Sequence, residues 1–560
     1  MSRGLRTVLR FSGLMLVLST LISAAFASGP YKVGSANTVT ADPNLSRPDT
    51  TPCVVKLFTG ASFYDFNLEN FNYTPPANCP GPWAKVILVS DIGLNPGIQY
   101  DRTANYWLGP VNIYFGTTAE PGSTVGPVWH IENDLTDYSS LFYTAQSGQA
   151  NIGNTIECCG LTSTIYASAW LEFYPVASGQ AAPVAADQVY ALSAGPSGGT
   201  VALNTGSDTL SATFNLPTNI ESAYLDVYSQ SQSDDEFWYT CVPNDVSGEL
   251  DSCGNTAFRE TEITIDGQPA GVAPVFPWIF TGGIDPYLWF PIPGVQTLNF
   301  VPYRVNLTPF AGVLSNGQPH TVSLSVYNAD SYFSATASLL VYLDHGTDQV
   351  TGEITQNTLT APNPDVTENL NVQPTSITGT VTVTSNRSFV ISGYAQTSHG
   401  KVNTAVSQKI VFASNQAFNI DNLQFEQNIS QSSALVSTVE TWGGGMPTYS
   451  TRYFNFPLTL DINQLVQSNG NINQTTTADQ DYTATTFSTQ SQGVPYTSTT
   501  VNRAQHTDTL EFTSSGGLLG NMGQSSAQQY KYYDSTGIAY SCDLDAANNV
   551  LTSFSQGCKH

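Results

Sequence analysis

Helical periodicity is almost absent from this sequence, which argues against folds that are built from long helices. Beyond the first 27 residues, no sustained apolar stripe with the i, i+3, i+4, i+7 spacing occurs. Short β-branched or alternating runs bounded by Gly, Pro, Asn and Ser occur instead, for example at 53–58, 223–228 and 378–384. Such runs, separated by turn residues, are typical of antiparallel sandwiches and jelly rolls. The sequence therefore predicts an all-β protein.

Two breaks in composition divide the chain, whose 560 residues exceed one ordinary core. Residues 180–199 form a connection rich in small residues, and residues 346–375 are polar and contain Ala361-Pro-Asn-Pro364. We predict two jelly-roll or β-sandwich domains packed side by side, at 28–185 and 186–346. A linker at 347–375 would follow, and then a C-terminal β-rich domain at 376–560, because Val, Ile and Phe alternate regularly between 378 and 412.

The first 27 residues have the features of a signal peptide. A basic start with Arg3, Arg6 and Arg10 precedes an apolar run at 14–22, and Ala25-Phe-Ala27 supplies a cleavage site. The apolar run is shorter than the ~20 residues that a membrane span needs. We therefore expect a secreted or periplasmic protein with no membrane anchor.

Charge excludes two classes of partner. Charged residues make up only 11% of the chain, with 43 acidic against 17 basic residues and a formal net charge of −26. So little basic charge argues against a nucleic-acid binder, which must neutralise phosphates. The same deficit argues against docking on an anionic lipid surface.

Export makes the eight cysteines candidates for disulfide bonds, although eight cysteines allow 105 pairings. Nearest-neighbour spacing suggests Cys53–Cys79, Cys241–Cys253 and Cys542–Cys558. Cys158 and Cys159 would then form a vicinal bridge, or each would reach a distant partner. Cysteines and histidines show no metal-ligand spacing, so we expect no metal.

Carboxylates beside aromatic residues and arginines are the most informative local features. Acids that activate water, arginines that orient oxygens and aromatic faces that pack on sugars suit a glycan-processing site. Each alone also has a structural explanation, as a surface ion pair or a core tryptophan. The candidates are the acids Asp101, Glu157, Glu236 and Glu260, the arginines Arg102 and Arg259, and the tryptophans Trp107, Trp238 and Trp289.

Several segments, in matching order, resemble the plant-type peptide-N-glycosidase A family and its acid-active bacterial relatives. They include Thr51-Pro-Cys-Val-Val-Lys-Leu-Phe58, Tyr100-Asp-Arg-Thr-Ala-Asn-Tyr-Trp107, Thr118-Ala-Glu-Pro121, Asp235-Glu-Phe-Trp-Tyr239, Phe258-Arg-Glu260 and Ile279-Phe-Thr-Gly-Gly-Ile284. The resemblance covers about 50–410 and is diffuse beyond that. It implies a cofactor-free amidase that cleaves the β-aspartylglucosylamine bond, releases the intact N-glycan and converts Asn to Asp. The implied substrates are N-glycopeptides and denatured glycoproteins, and we expect a monomer.

A fainter resemblance is to the flavobacterial peptide-N-glycosidase F, which is built from two jelly rolls. It is limited to the segments around Asp101-Arg102, Glu157, Leu216-Pro-Thr-Asn219 and Phe258-Arg259. It implies that Asp101 is the central catalytic residue, assisted by two glutamates, of which Glu157 matches one. No acid precedes Phe258-Arg259, where the other glutamate would lie, so that role is absent or transferred to Glu236 or Glu260.

The chemistry of amide hydrolysis assigns roles to these residues. Asp101 would orient and deprotonate water or contact the linkage, and Glu236 or Glu157 would act as the general acid. Arg102, Arg259 and Glu260 would hold substrate oxygens or the acids, and Trp107, Trp238 and Trp289 would bind the chitobiose core. We expect activity to be highest in acid. Two alternatives stay open: a glycoside hydrolase with two carboxylates, and a lectin or adhesin without catalysis.

Overall fold

The computed structural model describes residues 31–156, 159–489 and 494–558. The predicted signal peptide at 1–27 lies outside these residues. Strand accounts for 57% of the structure and helix for 5%, and the sheets are antiparallel, so the all-β prediction is confirmed.

The first eight strands form a sandwich of two four-stranded sheets. One sheet has the order β1-β8-β3-β6 and the other β2-β7-β4-β5, and apolar side chains from both fill the space between them. The strands are β1 (Cys53–Phe63), β2 (Glu69–Tyr73), β3 (Trp83–Leu94), β4 (Thr103–Leu108), β5 (Val111–Thr117), β6 (Val128–Asp134), β7 (Gln146–Ile152) and β8 (Ile165–Pro175).

The next nine strands form a second sandwich. Its sheets have the orders β10-β17-β12-β15, with β9 also paired to β17, and β11-β16-β13-β14. The strands are β9 (Gln188–Leu192), β10 (Val201–Leu203), β11 (Leu210–Asn215), β12 (Ile220–Gln232), β13 (Glu260–Ile265), β14 (Gln268–Pro274), β15 (Tyr303–Asn306), β16 (Pro319–Tyr327) and β17 (Tyr332–Leu343). The strands of the two sandwiches lie on either side of the boundary expected at 185/186.

The last part of the chain is one eleven-stranded antiparallel sheet, in which consecutive strands from β20 onward are neighbours. Residues 347–375 are not the linker that we predicted, because two strands in this range, β18 and β19, hydrogen-bond to the two ends of β20. The strands are β18 (Thr351–Asn357), β19 (Asp365–Gln373), β20 (Ser376–Thr397), β21 (Gly400–Asp421), β22 (Gln424–Trp442), β23 (Thr448–Val466), β24 (Ile472–Thr489), β25 (Pro495–Phe512), β26 (Leu518–Asp534), β27 (Ala539–Ala547) and β28 (Val550–Phe554).

Helices in the described ranges are short. Four 3-10 helices lie at Thr136–Tyr143, Ser233–Thr240, Pro286–Trp289 and Thr308–Phe310, and a single α-helical turn, α1, spans Ala311–Leu314. None of these has the length and apolar character that a bilayer crossing needs.

The large sheet supports the loops of the second sandwich through glutamines. Burial alternates along β21 because one face of the sheet is covered and the other is exposed. From the covered face, Gln416 Nε2 donates to the carbonyl of Cys241 at 2.8 Å, and Gln480 Nε2 donates to that of Pro277 at 2.6 Å. Gln524 Nε2 reaches the carbonyl of Phe290 at 2.6 Å. The polar composition of this block therefore satisfies the backbone of loops that pack on it.

Two predicted disulfides are present, Cys241–Cys253 and Cys542–Cys558, with S–S distances of 2.06 and 2.01 Å. The predicted Cys53–Cys79 bond is not formed in the structure, where both residues are thiols. Cys79 Sγ is directed at the carbonyl oxygen of Phe173, 3.7 Å away, and burial and the neighbouring Cys53 raise its pKa to about 11. The predicted Cys158–Cys159 bridge lies outside the described residues, because Cys158 is not among them.

Candidate active site

The hairpin of β4 and β5 brings two carboxylates together. Thr103 and Thr117 are paired across the hairpin, so the residues just before β4 and just after β5 lie side by side. Thr118 N donates to the carbonyl of Arg102 at 2.9 Å, and Arg102 N donates to Thr118 Oγ1 at 2.8 Å. The backbone N–H of Asp101 then donates to Glu120 Oε1 at 3.1 Å.

The second sandwich contributes a third carboxylate. Glu236 lies on the 3-10 helix Ser233–Thr240, which follows β12 directly. Near the end of β12, Gln230 Nε2 donates to Thr103 Oγ1 at 3.1 Å, which places this end of the strand against the start of β4. Asp101, Glu120 and Glu236, which we call the carboxyl cluster, therefore meet at the junction of the two sandwiches, and all three are half-buried.

Gly282 closes one side of the carboxyl cluster. Thr281 Oγ1, beside it, donates to the carbonyl of Thr118 at 2.8 Å and so fixes the loop to the first sandwich. A Cβ at position 282 would overlap Asp101 Oδ1 and would lie 2.5 Å from Glu120 Oε1. The two oxygens are therefore at most about 5 Å apart, within the range where like charges affect each other's pKa. Glycine leaves the space that both carboxyl groups occupy.

The three residues of the carboxyl cluster differ in pKa. Burial raises the pKa of Asp101 to about 6, while its own backbone N–H, the Arg102 cation and the N–H of Gly282 favour the anion. Burial and the nearby Asp101 carboxylate raise the pKa of both Glu120 and Glu236 to about 8. Near pH 7 the arrangement therefore holds one carboxylate, on Asp101, next to two protonated carboxylic acids.

An exposed rim adjoins Asp101. The Arg102 guanidinium donates to Gln99 Oε1 through Nε at 3.2 Å and Nη2 at 2.7 Å, and it lies 5.9 Å from the ring centre of Tyr100. The Tyr100 side chain is 58% exposed. Arg102 therefore lies beside the carboxyl cluster, and its contact with substrate stays a prediction. Tyr100 is an exposed aromatic residue at the same place that was not among the candidates from the sequence.

Arg259 and Glu260 are not at the surface of the site, contrary to their predicted contact with substrate. Arg259 is buried and binds Asp235 at 2.9 Å and the carbonyls of Asn255 and Thr256. Because Asp235 precedes Glu236, this ion pair fixes the 3-10 helix that carries the third carboxylate. Glu260 is also buried, and it pairs with Arg387 on β20.

The three tryptophans are core residues and present no face to a sugar. Trp107 has no exposed surface, and its Nε1 donates to Asn105 Oδ1 at 2.6 Å. Trp238 is buried against Phe412 of the large sheet. Trp289 is buried and donates to the carbonyl of Gly283 at 3.0 Å, so it supports the Gly-Gly turn beside Asp101. The predicted chitobiose contacts by these residues are therefore wrong.

Two further glutamates, Glu157 and Glu120, differ in what the structure shows of them. Glu157 lies outside the described residues, so its assignment as a general acid stays a prediction. Glu120 was not selected as a candidate, although it lies in Thr118-Ala-Glu-Pro121, one of the segments that carry the family resemblance. The feature that identifies Glu120 as a site residue is its position directly after β5, next to Asp101.

The loop that carries Gly282 is tied to the large sheet by two acids. Asp285, on this loop, and Asp508, on β25, are both buried. Burial, followed by the charge of the neighbouring Asp508, raises the pKa of Asp285 to about 7. Burial also raises the pKa of Asp508, whose Oδ1 accepts a hydrogen bond from Asn521 at 3.0 Å. Two adjacent buried carboxyl groups share a proton more readily than they carry two charges.

We expect Asp508→Asn to change how stability depends on pH. The raised pKa values mean that the pair stabilises the fold in acid and loses this contribution as pH rises through about 7. An asparagine amide can donate to Asp285 without a shared proton, so the variant should be more stable than the wild type at pH 8, by on the order of 2 kcal/mol. Urea unfolding midpoints at pH 5 and pH 8 test this, and equal pH dependence in both proteins would contradict it.

One group among the described residues has ligand atoms close enough to hold a metal ion. The ligand atoms of Glu221, Asp344 and His399 all lie within 4.8 Å of one another. Asp344 already accepts hydrogen bonds from Ser398 Oγ at 2.7 Å and Gly346 N at 2.8 Å, which account for its burial without an ion. No member of the carboxyl cluster belongs to this group.

Comparison with known proteins gives matches over most of the chain. The profile of the family described as "Peptide N-acetyl-beta-D-glucosaminyl asparaginase amidase A" matches residues 41–360. A Prunus dulcis protein named peptide-N4-(N-acetyl-beta-glucosaminyl)asparagine amidase A is 28% identical over 453 residues, which are 76% of each chain.

Two solved structures are similar at low identity. PNGF-II has a TM-score of 0.37 and 13% identity over 52% of this chain and 65% of its own, slightly less than two thirds. PNGase F, a glycosylasparaginase from Flavobacterium meningosepticum, has a TM-score of 0.34 and 14% identity over 52% of this chain and 96% of its own.

Proposed function

The chain belongs to the peptide N-acetyl-β-D-glucosaminyl asparaginase amidase A family, and we propose that it hydrolyses the amide bond between an N-glycan and asparagine. The family resemblance inferred from the sequence segments is thereby confirmed. The proposed products are the intact glycan and a peptide in which Asp replaces the glycosylated Asn. The substrates would be N-glycopeptides and denatured glycoproteins.

One observation carries the proposal. Asp101 lies beside Glu120 and Glu236 at the junction between the two sandwiches, where burial raises the pKa of Asp101 to about 6 and the pKa of each glutamate to about 8. A group that accepts a proton and a group that donates one, held together with separated pKa values, are what acid–base hydrolysis needs. All three residues lie within the matched range 41–360.

In the proposed reaction, Asp101 accepts a proton from a water molecule as the water oxygen attacks the amide carbonyl carbon. The C–N bond then breaks, and the leaving nitrogen receives a proton from Glu236 or Glu120. The glycosylamine that is released later loses ammonia in water. The side chain that remains on the peptide is a carboxylate, so the oxygen that it gains comes from the attacking water.

The role of Arg102 follows from its place. Its guanidinium is held by Gln99 next to Asp101, where a cation stabilises the Asp101 anion and can orient a substrate oxygen. Gly282 contributes a backbone N–H that is directed at the same carboxylate. These donors keep Asp101 ionised while burial acts to protonate it.

The rate should depend on pH in a bell shape. Asp101 must be ionised, which gives a rising limb near pH 6, and the general acid must be protonated, which gives a falling limb near pH 8. The sequence predicts an optimum further into acid, so the pH at which the rate is highest distinguishes the two predictions. The measurement is kcat/KM between pH 3 and pH 10 on a soluble glycopeptide, because kcat/KM reports the pKa values of the free enzyme. A flat profile through pH 8 would remove the protonated acid from the mechanism.

Three variants separate the candidate acids. If Glu236 is the general acid, Glu236→Gln should lower kcat by about 100-fold or more and remove the falling limb, whereas Glu120→Gln and Glu157→Gln should change kcat less. A larger loss in Glu120→Gln or in Glu157→Gln would assign the general acid to that residue instead.

The function is tested by the masses of the products. The purified protein is incubated with a glycopeptide that bears one N-glycan. An amidase leaves a sugar-free peptide with Asp in place of Asn. A glycoside hydrolase leaves sugar on the peptide, and a lectin leaves the glycopeptide intact although bound. Either of the last two results would overturn the proposal.

We also propose that the protein is exported and acts as a monomer without a cofactor. The leader-like first 27 residues and the two disulfides support export, because disulfides persist in oxidising compartments. The native mass of the secreted protein tests the removal of the leader and the absence of a bound cofactor, and sedimentation tests the monomeric state.

A further inference from the structure

The turn beside Asp101 rests on a strand of the large sheet. Gly282 lies in this turn, residues 280–285, and directs its backbone N–H at the Asp101 carboxylate. Asp285 ends the turn, and its side chain meets that of Asp508, on β25. β25 lies outside the range that the family profile matches. A residue from the unmatched part of the chain therefore contacts the turn that borders the candidate site.

The carboxyl groups of Asp285 and Asp508 are arranged to share one proton. Asp285 Oδ1 accepts from Tyr287 N at 2.9 Å, and Asp508 Oδ1 accepts from Asn521 Nδ2 at 3.0 Å. The other oxygen of each group, Oδ2, is buried and receives no hydrogen bond from an N–H group or a hydroxyl group among the described residues. Two buried acceptors that face each other are both satisfied by a single proton between them. This bond joins the turn to β25.

Backbone hydrogen bonds connect Asp285 to the glycines of the turn. Asp285 N donates to the carbonyl of Gly283 at 2.7 Å, which fixes the residue that follows Gly282. Trp289 Nε1 donates to the same carbonyl at 3.0 Å, and its ring centre lies 4.6 Å from that of His506, also on β25. A shift of Asp285 relative to β25 would therefore move the backbone N–H of Gly282.

We propose that Asp508, acting through Asp285, is a positioning residue for the reaction at Asp101. It holds the turn where the N–H of Gly282 reaches the Asp101 carboxylate, and this hydrogen bond stabilises the anion that the reaction needs. The large sheet thereby takes part in the reaction, by supporting the turn rather than by touching the substrate. This inference rests on the proposed function for the role of Asp101.

Loss of this support should change the pH dependence of the rate. If the turn recedes, Asp101 loses one hydrogen-bond donor, so its pKa rises from about 6 and the rising limb of kcat/KM moves to higher pH. Among the described residues, the charged and titratable groups that face it are Arg102, Glu120 and Glu236, which a substitution on β25 leaves in place. On β25 itself, burial lowers the pKa of His506 to about 4, so this imidazole is uncharged along the rising limb.

The test compares Asp508→Ala with Asp508→Asn in the full-length protein, through kcat/KM on a glycopeptide between pH 4 and pH 8. Alanine removes the group that holds Asp285, so the rising limb should move up by about one pH unit, which lowers kcat/KM at pH 5 about tenfold. Asparagine can donate to Asp285 and accept from Asn521, so its rising limb should coincide with that of the wild type. A variant that is only less stable would lose activity without a shift of the limb.

Asp481→Asn is the matched control, because Asp481 is a half-buried acid on the neighbouring strand β24 and accepts a hydrogen bond from Thr483 at 2.8 Å. Asp508→Val is a second variant that suits a strand and removes the same bond to the turn, in case Asp508→Ala does not fold. A wild-type rising limb in the folded alanine or valine variant, or an equal shift in Asp481→Asn, would overturn the inference. Absence of sugar-free peptide from the wild type at every pH would instead count against the proposed function.

Discussion

Asp101→Asn should lower kcat by at least 100-fold while the protein stays folded and still binds glycopeptide. The substitution keeps nearly the same volume but removes the anion that we propose accepts the proton of water, and a lost general base typically costs about 10²–10⁴ in rate. The Asp101 side chain is bordered by the N–H of Gly282 and by Arg102, both of which can still contact an amide oxygen. The melting temperature should therefore change little.

The competing explanation is that Asp101 only anchors Arg102. In that case the variant should melt at a lower temperature, and the fraction that stays folded should keep much of its turnover. Asp245→Asn provides a control, because Asp245 is an exposed acid outside the carboxyl cluster and should show wild-type kcat. Wild-type activity in folded Asp101→Asn protein would remove Asp101 from the mechanism.

Gly282→Ala should cause a loss of similar size without removing any ionisable group. The new methyl group would overlap Asp101 Oδ1 and press on Glu120 Oε1. Both carboxyl groups would have to move, and a displacement of about 1 Å in an active site can cost about 100-fold in rate. The backbone of Gly282 does not have the positive φ that disfavours alanine, so folding should be retained.

Gly283→Ala is the matched control for this prediction. A Cβ at position 283 would meet nothing closer than 3.3 Å, the carbonyl oxygen of Phe280, and it would not touch the carboxyl cluster. Values of kcat/KM for the two alanine variants on one glycopeptide give the comparison. Equal activities would show that the space beside Asp101 is not needed.

The sequence predicts the fold class well because strand signals are local. Alternation at 378–412 marks β20 and β21 directly, and the turn residues between runs mark the ends of many strands. The linker at 347–375 was mispredicted because its polar composition suggested a connection, whereas β18 and β19 are strands with largely exposed side chains at the start of the large sheet.

The site was only partly predictable, because the sequence does not show which of the candidate side chains are buried. Trp107 lies on β4, which is buried on both faces, so alternation cannot separate a core ring from an accessible one. Arg259 and Glu260 are charged residues of the kind found in active sites, but each forms a buried ion pair instead. Arg259 pairs with Asp235, and Glu260 pairs with Arg387 on β20. The position of Glu120 next to Asp101 results from the pairing of β4 with β5. The sequence alone does not show that Thr103 lies opposite Thr117, so it does not show that these two acids are neighbours.

The most direct test of the carboxyl cluster as an amide-hydrolysing site is a reaction in water enriched in oxygen-18. A glycopeptide is incubated with the wild type and, in parallel, with Asp101→Asn, and the peptide product is fragmented by mass spectrometry. We predict a sugar-free peptide from the wild type with one labelled oxygen in the side chain of the new Asp, and almost no such product from the variant. A product that keeps its sugar, or the same labelled product at the same rate from Asp101→Asn, would contradict the account.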